Sequence, residues 1–408
     1  MQQNAKGLGI RWAYLVLGVV AMLFAGIIYA WSILKAPFQA EFGWSAPDLA
    51  LNFTLTMCFF CTGGFVGGLL SKRIGVKLPL IAGGLLAGVG LLLASRLEGS
   101  SVGMLYLSYG VMAGLGIGVA YNILMTVLGA WFPDKKGLCS GILLMGFGAS
   151  ALVLGNLAGA FIDNPAIGWR TTFLLLGAGL AAVMVVAGLV LRMPNPDTQF
   201  PQPKQGKGGD SQQSEQRDYT TGEMLRRPSF WLAFVCLLLL AAVGNSVISF
   251  AKDLALSVQA TAALATTLVG VLSVCNGLGR IITGALFDAI GRRATMLCTN
   301  VLTIVAAGVT LLSVSIGSLP LCVVGLCLTG LSYGSCPTVS AAFIGAFYGA
   351  KYYPTNFAIM NFNLMGASLM ATVSSNLLAS SGGYTLPFML LLALSVVALV
   401  LNLLIRRP

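Results

Sequence analysis

The feature that most constrains this chain is a series of twelve apolar runs, each long enough to cross a lipid bilayer, which takes about 17–25 residues. Inside lipid a spanning backbone must satisfy its own hydrogen bonds, so runs of this length predict α-helices. The runs fall at 12–34, 49–71, 78–96, 102–131, 137–161, 169–192, 228–251, 262–288, 294–315, 319–347, 354–379 and 384–405. The sequence therefore predicts an all-α integral membrane protein with twelve transmembrane helices, numbered here in chain order.

Composition excludes several other classes of protein. Charged residues make up only 9% of the chain, whereas a soluble domain carries roughly a quarter. The net charge of +11 would suit nucleic acid, but the basic residues are scattered singly and in pairs at the ends of apolar runs instead of lining one face. Nine cysteines, most of them inside apolar runs, occur without any histidine. We interpret them as small buried residues and expect no metal site and no cofactor.

The loop charges predict the orientation in the membrane. Both termini and the even-numbered connections hold 18 of the 23 basic residues, and the odd-numbered connections hold only Lys35, Arg96, Arg170 and Lys252. The positive-inside rule then places both termini in the cytoplasm, with the chain in the inner or plasma membrane. The first run ends without a small-residue cleavage site, so we expect it to remain as an anchor.

One segment differs from the rest in composition. Residues 193–227 are rich in Gln, Gly, Pro and charge, which is typical of a flexible linker. The predicted organisation is an N-terminal six-helix bundle at 1–192, a cytoplasmic linker at 193–227 and a C-terminal six-helix bundle at 228–408.

The two predicted bundles contain an internal repeat. A shift of 216 residues places 67–75 over 283–291 and 129–132 over 345–348, and a shift of 218 places 148–150 over 366–368. Parallel repeats of this kind put a binding site between pseudo-symmetric halves near the membrane midplane, and rocking of the halves exposes that site to each side in turn.

Two motifs resemble known families. Residues 284–293 read GALFDAIGRR and resemble the cytoplasmic signature of the major facilitator superfamily, G-x-L-x-D-x-x-G-R-R. That resemblance implies a conformational latch at Asp288, Arg292 and Arg293, although the first-half copy has Lys72 where an acid is usual. Residues 131–141 read WFPDKKGLCSG, and with 11–12 and 29–32 they resemble the oxalate/formate antiporter family and the related monocarboxylate porters.

A single charge lies well inside a predicted span. Of 35 charged residues only Arg280 does so, near the middle of helix 8, where a cation costs about 2.5–3.5 kcal/mol on insertion scales. No intramembrane acid is available to pair with it, so backbone carbonyls and water, snorkelling, or a substrate anion must satisfy it. A planar guanidinium matches a carboxylate bidentately. Asn276 lies one turn earlier on the same face, together with Ser273 and Thr283. We predict Arg280 and Asn276 as substrate-binding residues.

Other candidates follow from the resemblance, because helices 1, 4, 7 and 10 usually line the cavity in this superfamily. These helices offer Tyr29, Tyr121, Asn245 and Tyr333, each of which could equally be an interhelical contact. Asp253, beside Lys252 at the outer end of helix 7, is either one partner of an interfacial charge pair or a proton-handling group.

The resemblance also bears on the substrate. Eukaryotic monocarboxylate porters usually carry an acid one turn before the helix-8 arginine, where this chain has Asn276. Oxalate exchangers are expected to place a second cation on helix 11, where this chain offers Asn356, Asn361, Asn363 and Leu364. One positive charge suits one carboxylate, which favours a monocarboxylate over oxalate.

These features predict a secondary transporter of small monocarboxylates, of the lactate and pyruvate type, with proton symport. An anion exchanger of the oxalate/formate type is the alternative. An enzyme or membrane sensor is disfavoured because the chain has no histidine and no nucleophile–base set. A cation carrier would need acids in mid-span. The expected partners are a small carboxylate anion, a proton and the lipid bilayer, and we expect a monomer.

Overall fold

The structure, a computed structural model, describes residues 2–99, 101–132, 136–195, 218–349 and 352–406. Within these ranges the regular secondary structure is helical, without strands. Among the described residues, twelve helices are long and apolar enough to span a bilayer, which confirms the predicted fold class. Their bounds are Gly9–Leu34, Ala46–Ser71, Lys77–Ala94, Val102–Trp131, Gly141–Ile162, Gly168–Val190, Pro228–Ser257, Ala262–Phe287, Arg293–Ile316, Leu319–Tyr348, Thr355–Ser381 and Thr385–Leu404.

The helix ends follow from local chemistry. Helix 2 begins behind Ser45, whose hydroxyl oxygen accepts the N–H of Asp48 at 3.2 Å, and helix 8 begins behind Thr261, which caps Leu264 in the same way. Such caps satisfy N–H groups that the first turn leaves without partners. Helices 8 and 9 are separated at Gly291, whose φ of +75° is available to glycine at little cost.

Successive helices run in opposite directions, so the start of helix 1 and the end of helix 12 lie at the same face of the bundle. We call this the terminal face and the opposite one the far face. Large apolar side chains point outward along the helices, with Leu403 56% exposed and Met389 54% exposed. A surface of this kind would promote association in water, and it is what a lipid-facing exterior requires.

Several helices depart from regular geometry within their spans. Helix 1 tightens to a 3-10 turn at Gly26–Ala30, and helices 4 and 5 contain π-helical turns at Tyr106–Ala113 and Ala151–Gly155. Helix 7 bends at Phe250, and helix 11 is interrupted at Phe362. Irregular turns in a membrane are tolerated where protein or a cavity lies beside them.

Glycine seams allow the helices to approach closely. Gly110, Gly114 and Gly118 of helix 4 face the backbone of helix 2. Gly270 and Gly277 of helix 8 instead face Leu152 and Met145 of helix 5, so this seam joins the two predicted halves. Small residues at such positions bring backbones into contact.

Helices 8 and 10 pack closely at Gly334. A Cβ at Gly334 would collide with the carbonyl oxygen of Asn276. Gly334→Ala should therefore push the two helices apart and lower the free energy of unfolding by about 1–3 kcal/mol, the usual cost of overpacking. Gly308→Ala on helix 9 is the matched control, because nothing lies within 4 Å of its Cβ position. Thermal unfolding in detergent measures both variants, and equal unfolding temperatures for the two would contradict the packing argument.

A short helix, Ala36–Phe42, covers the far face of the first half directly after helix 1. Its Phe38 packs against Trp31, Trp169 and Phe173. Its Glu41 accepts hydrogen bonds from Arg170 at 2.8 Å and from the Trp169 indole at 2.6 Å. The Arg170 contact and then the Trp169 contact hold the pKa of the Glu41 carboxyl below its ordinary value. This cluster holds the short helix in place and so helps to position Lys35, the residue directly before it.

Most of the predicted linker, 196–217, lies outside the described residues. Its last part is ordered on the second half. Thr221–Leu225 forms a short helix with a capping box between Thr220 and Glu223. The Tyr219 N–H donates to the Tyr348 carbonyl at 3.0 Å, and its carbonyl accepts from the Asn356 amide at 3.0 Å. The final part of the predicted linker, 218–227, therefore has hydrogen-bond partners at the end of helix 10 and the start of helix 11.

Candidate functional site

A cavity of about 220 Å³ lies between the two sets of six helices, in the terminal half of the bundle. Helices 1, 2, 4 and 5 line it from one side, and helices 8, 10 and 11 line it from the other. The lining residues are Tyr29, Met57, Phe60, Cys61, Gly64, Phe65, Tyr121, Asn122, Met125, Phe147, Arg280, Tyr333, Pro337, Phe357, Ala358, Asn361 and Leu364. Arg280 is the one charged residue in this described wall.

Arg280 is 8% exposed, and it meets few partners for a buried cation. One terminal nitrogen lies 3.4 Å from the hydroxyl oxygen of Tyr29, across the interface between the halves. Its Nε is buried and meets no acceptor among the described residues. Guanidinium groups carry five N–H donors, so this one retains donor capacity directed at the cavity. Buried charges require a partner of opposite charge or several hydrogen bonds.

The position of Arg280 is set by the contact between helices 8 and 10. The preceding residue, Gly279, lies against the backbone of Leu331. The Arg280 carbonyl accepts the Thr338 hydroxyl at 3.4 Å. A larger residue at position 279 would push helix 8 away from helix 10 and displace Arg280, so Gly279 helps to position the guanidinium.

Aromatic rings surround the guanidinium on the first-half side. The Tyr29 and Tyr121 rings each meet Phe147 edge to face, with centroids 5.1 and 5.3 Å apart. Phe60 closes the group against Tyr121 at 5.1 Å, and the Tyr121 hydroxyl lies beside Arg280. Edge-to-face packing holds such rings in fixed orientation. Two phenol hydroxyls and one guanidinium therefore converge in a chamber whose wall is mostly apolar.

Tyr333 lines the cavity from helix 10 and is fixed from behind by Asn245 of helix 7. Its hydroxyl donates to Asn245 Oδ1 at 2.7 Å. The Asn245 amide nitrogen in turn donates to the Leu364 carbonyl at 3.5 Å. Asn245 is fully buried and is not a lining residue. Asn245, a candidate substrate-binding residue in the sequence, instead contacts Tyr333 and Leu364 and does not line the cavity.

Asn276 is also absent from the described cavity wall. It is 1% exposed on the face of helix 8 that packs against the Gly330 and Gly334 backbone of helix 10. Thr283 shares that face and donates to Ser335 of helix 10 at 2.6 Å. The predicted polar stripe does point into the bundle, but helix 10 covers most of it and Arg280 alone reaches the cavity.

Asp253 lies one turn before the end of helix 7, and its partner is Lys35 rather than its neighbour Lys252. The Lys35 Nζ and an Asp253 carboxylate oxygen are 2.6 Å apart, with side chains 4% and 33% exposed. Tyr384 lies nearby; burial, and then the Asp253 carboxylate, raise its pKa. The pair joins helix 1 to helix 7, so it connects the two halves on the far-face side of the cavity.

A second contact closes the same side. The Thr54 hydroxyl of helix 2 donates to the Ser368 carbonyl of helix 11 at 2.6 Å and lies 3.0 Å from the Thr372 hydroxyl. The cavity residues on helices 2 and 11 lie nearer the terminal face than these contacts. In this conformation the Lys35–Asp253 pair and the Thr54 hydrogen bonds therefore link the two halves between the cavity and the far face.

The implied latch at the terminal face is only partly described. The backbone is helical at Asp288 and Arg292, but their side chains lie outside the described residues. Arg293 is exposed at the start of helix 9. The latch at Asp288, Arg292 and Arg293 stays a prediction.

The site contains residues that pattern alone did not single out. Phe60 and Phe147 line the cavity, and the sequence analysis proposed neither as a site residue. Lys35 was counted only as a loop charge, although a signal existed. Lys35 and Asp253 are 218 residues apart, so the repeat places opposite charges at equivalent ends of helices 1 and 7.

Comparison with known proteins gives a consistent family. The family model for the Major Facilitator Superfamily matches residues 15–252 and 234–408. The chain is 31% identical over 299 residues to the uncharacterized MFS-type transporter YhjX of Escherichia coli (strain K12), covering 72% of this chain and 70% of that protein. It is 29% identical over 297 residues to the oxalate:formate antiporter of Oxalobacter formigenes, covering 72% and 67%. To monocarboxylate transporter 2 of Homo sapiens it is 30% identical over 206 residues, covering 49% and 42%.

Proposed function

Because the chain belongs to the Major Facilitator Superfamily, we propose that it is a secondary transporter of small monocarboxylates of the lactate and pyruvate type, coupled to protons and working by alternating access. The observation that carries this proposal is the single buried cation in the described cavity wall. A guanidinium in an apolar chamber binds a carboxylate strongly, because little water competes for it. The named relatives support the same ligand chemistry, since one is a monocarboxylate transporter and another exchanges oxalate and formate.

The charge balance favours one carboxylate over two. A monocarboxylate neutralises Arg280, whereas oxalate would bring a second negative charge to a described wall with no further cation. An uncompensated charge in such surroundings is costly. The helix-11 part of the wall offers the neutral Asn361 and Leu364.

Substrate binding would also draw the halves together. Tyr29 belongs to the first half and already contacts Arg280 of the second at 3.4 Å. An anion held by Arg280 would accept hydrogen bonds from Tyr29 and Tyr121 as well, and so would bridge the interface that must close around it. Rocking of one half against the other about this bridge then exposes the anion to the opposite side.

For the proton we propose the Lys35–Asp253 pair. Protonation of the Asp253 carboxyl removes its charge and releases its hold on Lys35, which weakens the far-face contact between helices 1 and 7. An anion that travels with one proton crosses without net charge, so the membrane potential does not oppose its uptake. We also propose that the protein lies in the inner or plasma membrane with both termini in the cytoplasm. The terminal face would then be the cytoplasmic face, and the cavity of this conformation would lie on the cytoplasmic side.

Exchange of one anion for another is the second candidate, favoured by the similarity to the oxalate:formate antiporter. Purified protein in proteoliposomes separates the two candidates by uptake of labelled lactate, pyruvate, formate, acetate and oxalate, with and without an imposed pH gradient. We expect lactate or pyruvate uptake driven by an inwardly directed proton gradient into empty vesicles. Uptake only into vesicles preloaded with a counter-anion would contradict symport and favour exchange.

A further inference from the structure

We propose that Asn245 sets the hydrogen-bond polarity of the cavity, so that the protein binds 2-hydroxy carboxylates more tightly than 2-oxo carboxylates. The inference rests on the proposed carboxylate function. It concerns the oxygen on the second carbon of the substrate, where lactate carries a hydroxyl and pyruvate carries a carbonyl.

The Tyr333 hydroxyl directs its only proton away from the cavity. It donates to Asn245 Oδ1 at 2.7 Å. The orientation of that amide is fixed by the Leu364 carbonyl, which can only accept and lies 3.5 Å from the Asn245 nitrogen. A phenol has one proton. The Tyr333 oxygen can therefore offer only acceptor lone pairs to any other partner.

The groups around Arg280 have the opposite polarity. Tyr29 accepts an N–H of Arg280 at 3.4 Å, which leaves its own proton available to donate. The Tyr121 hydroxyl lies beside the same guanidinium, which has donors and no acceptor. Donors therefore converge where a carboxylate would lie, and an acceptor faces the same chamber from helix 10.

This arrangement separates two substrates of nearly equal size. With its carboxylate on Arg280, a 2-hydroxy acid can donate its hydroxyl proton to Tyr333. A 2-oxo acid would place a carbonyl oxygen against an oxygen that has no proton to give. Sites that hydrogen-bond a substrate hydroxyl discriminate strongly, because a mismatched partner leaves buried polar atoms unpaired.

The test is the binding of L-lactate, pyruvate and propionate to the purified protein, measured by titration calorimetry at one pH. Propionate is the reference because it lacks the second-carbon oxygen. We expect lactate to bind at least about fivefold more tightly than pyruvate, with propionate between them. Pyruvate binding as tightly as lactate would overturn the inference while leaving the proposed function in place. Failure of all three to bind would overturn the proposed function and this inference with it.

Two variants test whether Asn245 and Tyr333 cause the preference for lactate over pyruvate. Asn245→Leu removes the acceptor, so the Tyr333 proton becomes free to turn toward the cavity, and the preference should fall to near unity or invert. Tyr333→Phe removes the oxygen itself and should also abolish the preference. Asn300→Leu is the control, because Asn300 is a buried asparagine of helix 9 that bonds its own helix at 2.8 Å outside the cavity wall. A wild-type preference in Asn245→Leu, with propionate binding intact, would contradict the role of Asn245.

Discussion

Replacing Arg280 with glutamine should abolish measurable carboxylate binding while the protein remains folded and inserted. Glutamine keeps polar atoms in the cavity but removes the charge and the fork. Losing a buried charged hydrogen-bond partner typically costs about 2–5 kcal/mol of binding, or roughly 30- to several-thousand-fold in affinity. Folding should not suffer, because Arg280 is a buried cation without a paired acid among the described residues, and its removal relieves a desolvation cost. Titration with lactate and thermal unfolding on the same sample measure the two effects.

Two further variants sharpen this expectation. Arg280→Lys keeps the charge but loses the bidentate geometry, so it should bind carboxylates weakly rather than not at all. Arg96→Gln changes an exposed cation near the far face and should bind lactate as the wild type does. Unchanged lactate uptake by Arg280→Gln in proteoliposomes would contradict the assignment of the site.

The helices and the buried cation could be predicted from the sequence because single segments determine them. A run such as 319–347 must become a helix in lipid whatever surrounds it, and the structure begins and ends that helix at Leu319 and Tyr348. Arg280 could be singled out because the cost of burying a cation depends on its depth in one helix. Both features are independent of which helices become neighbours in the fold.

The walls of the site could not be predicted in this way, because they depend on which face of one helix packs against which face of another. Asn276 and Arg280 share a face in sequence, yet helix 10 approaches so closely at Gly334 that it covers the first and leaves the second open to the cavity. Asn245 was grouped with Tyr333 only through the helices that carry them. Its actual contact, a hydrogen bond of 2.7 Å behind the cavity wall, follows from the packing of helix 7 against helix 10.

The Lys35–Asp253 pair could be predicted from the sequence only in part. Both residues look like unremarkable charges at helix ends, and Asp253 has a basic neighbour in Lys252 that offers an easy explanation. The structure brings the ends of helices 1 and 7 together, so a cation at one end and an anion at the other can meet. They do so at 2.6 Å, with Lys35 almost fully buried. The ion pair therefore depends on a contact between two helices that are far apart in the sequence.

Asp253→Asn should have the second large effect, because it leaves a buried ammonium without its carboxylate. Breaking a fully buried pair costs about 3–5 kcal/mol, and the partial exposure of Asp253 reduces this to about 1–3 kcal/mol. We expect a lower unfolding temperature and at least a tenfold loss of proton-driven lactate uptake. Lys35→Met should cost less stability, because the carboxylate that it leaves is a third exposed to solvent.

The double variant Lys35→Met/Asp253→Leu distinguishes an ion pair that only closes the far face from one that also carries the proton. Replacing both charges with apolar side chains of similar size is often neutral or stabilising, so the unfolding temperature should recover to near the wild-type value. If Asp253 carries the proton, the double variant should bind lactate normally but exchange it across the membrane without any response to a pH gradient. Uptake that recovers together with its dependence on the gradient would place the proton elsewhere and leave the pair as a closing contact alone. Because the double variant is expected to be as stable as the wild type, a change in its coupling cannot be attributed to misfolding.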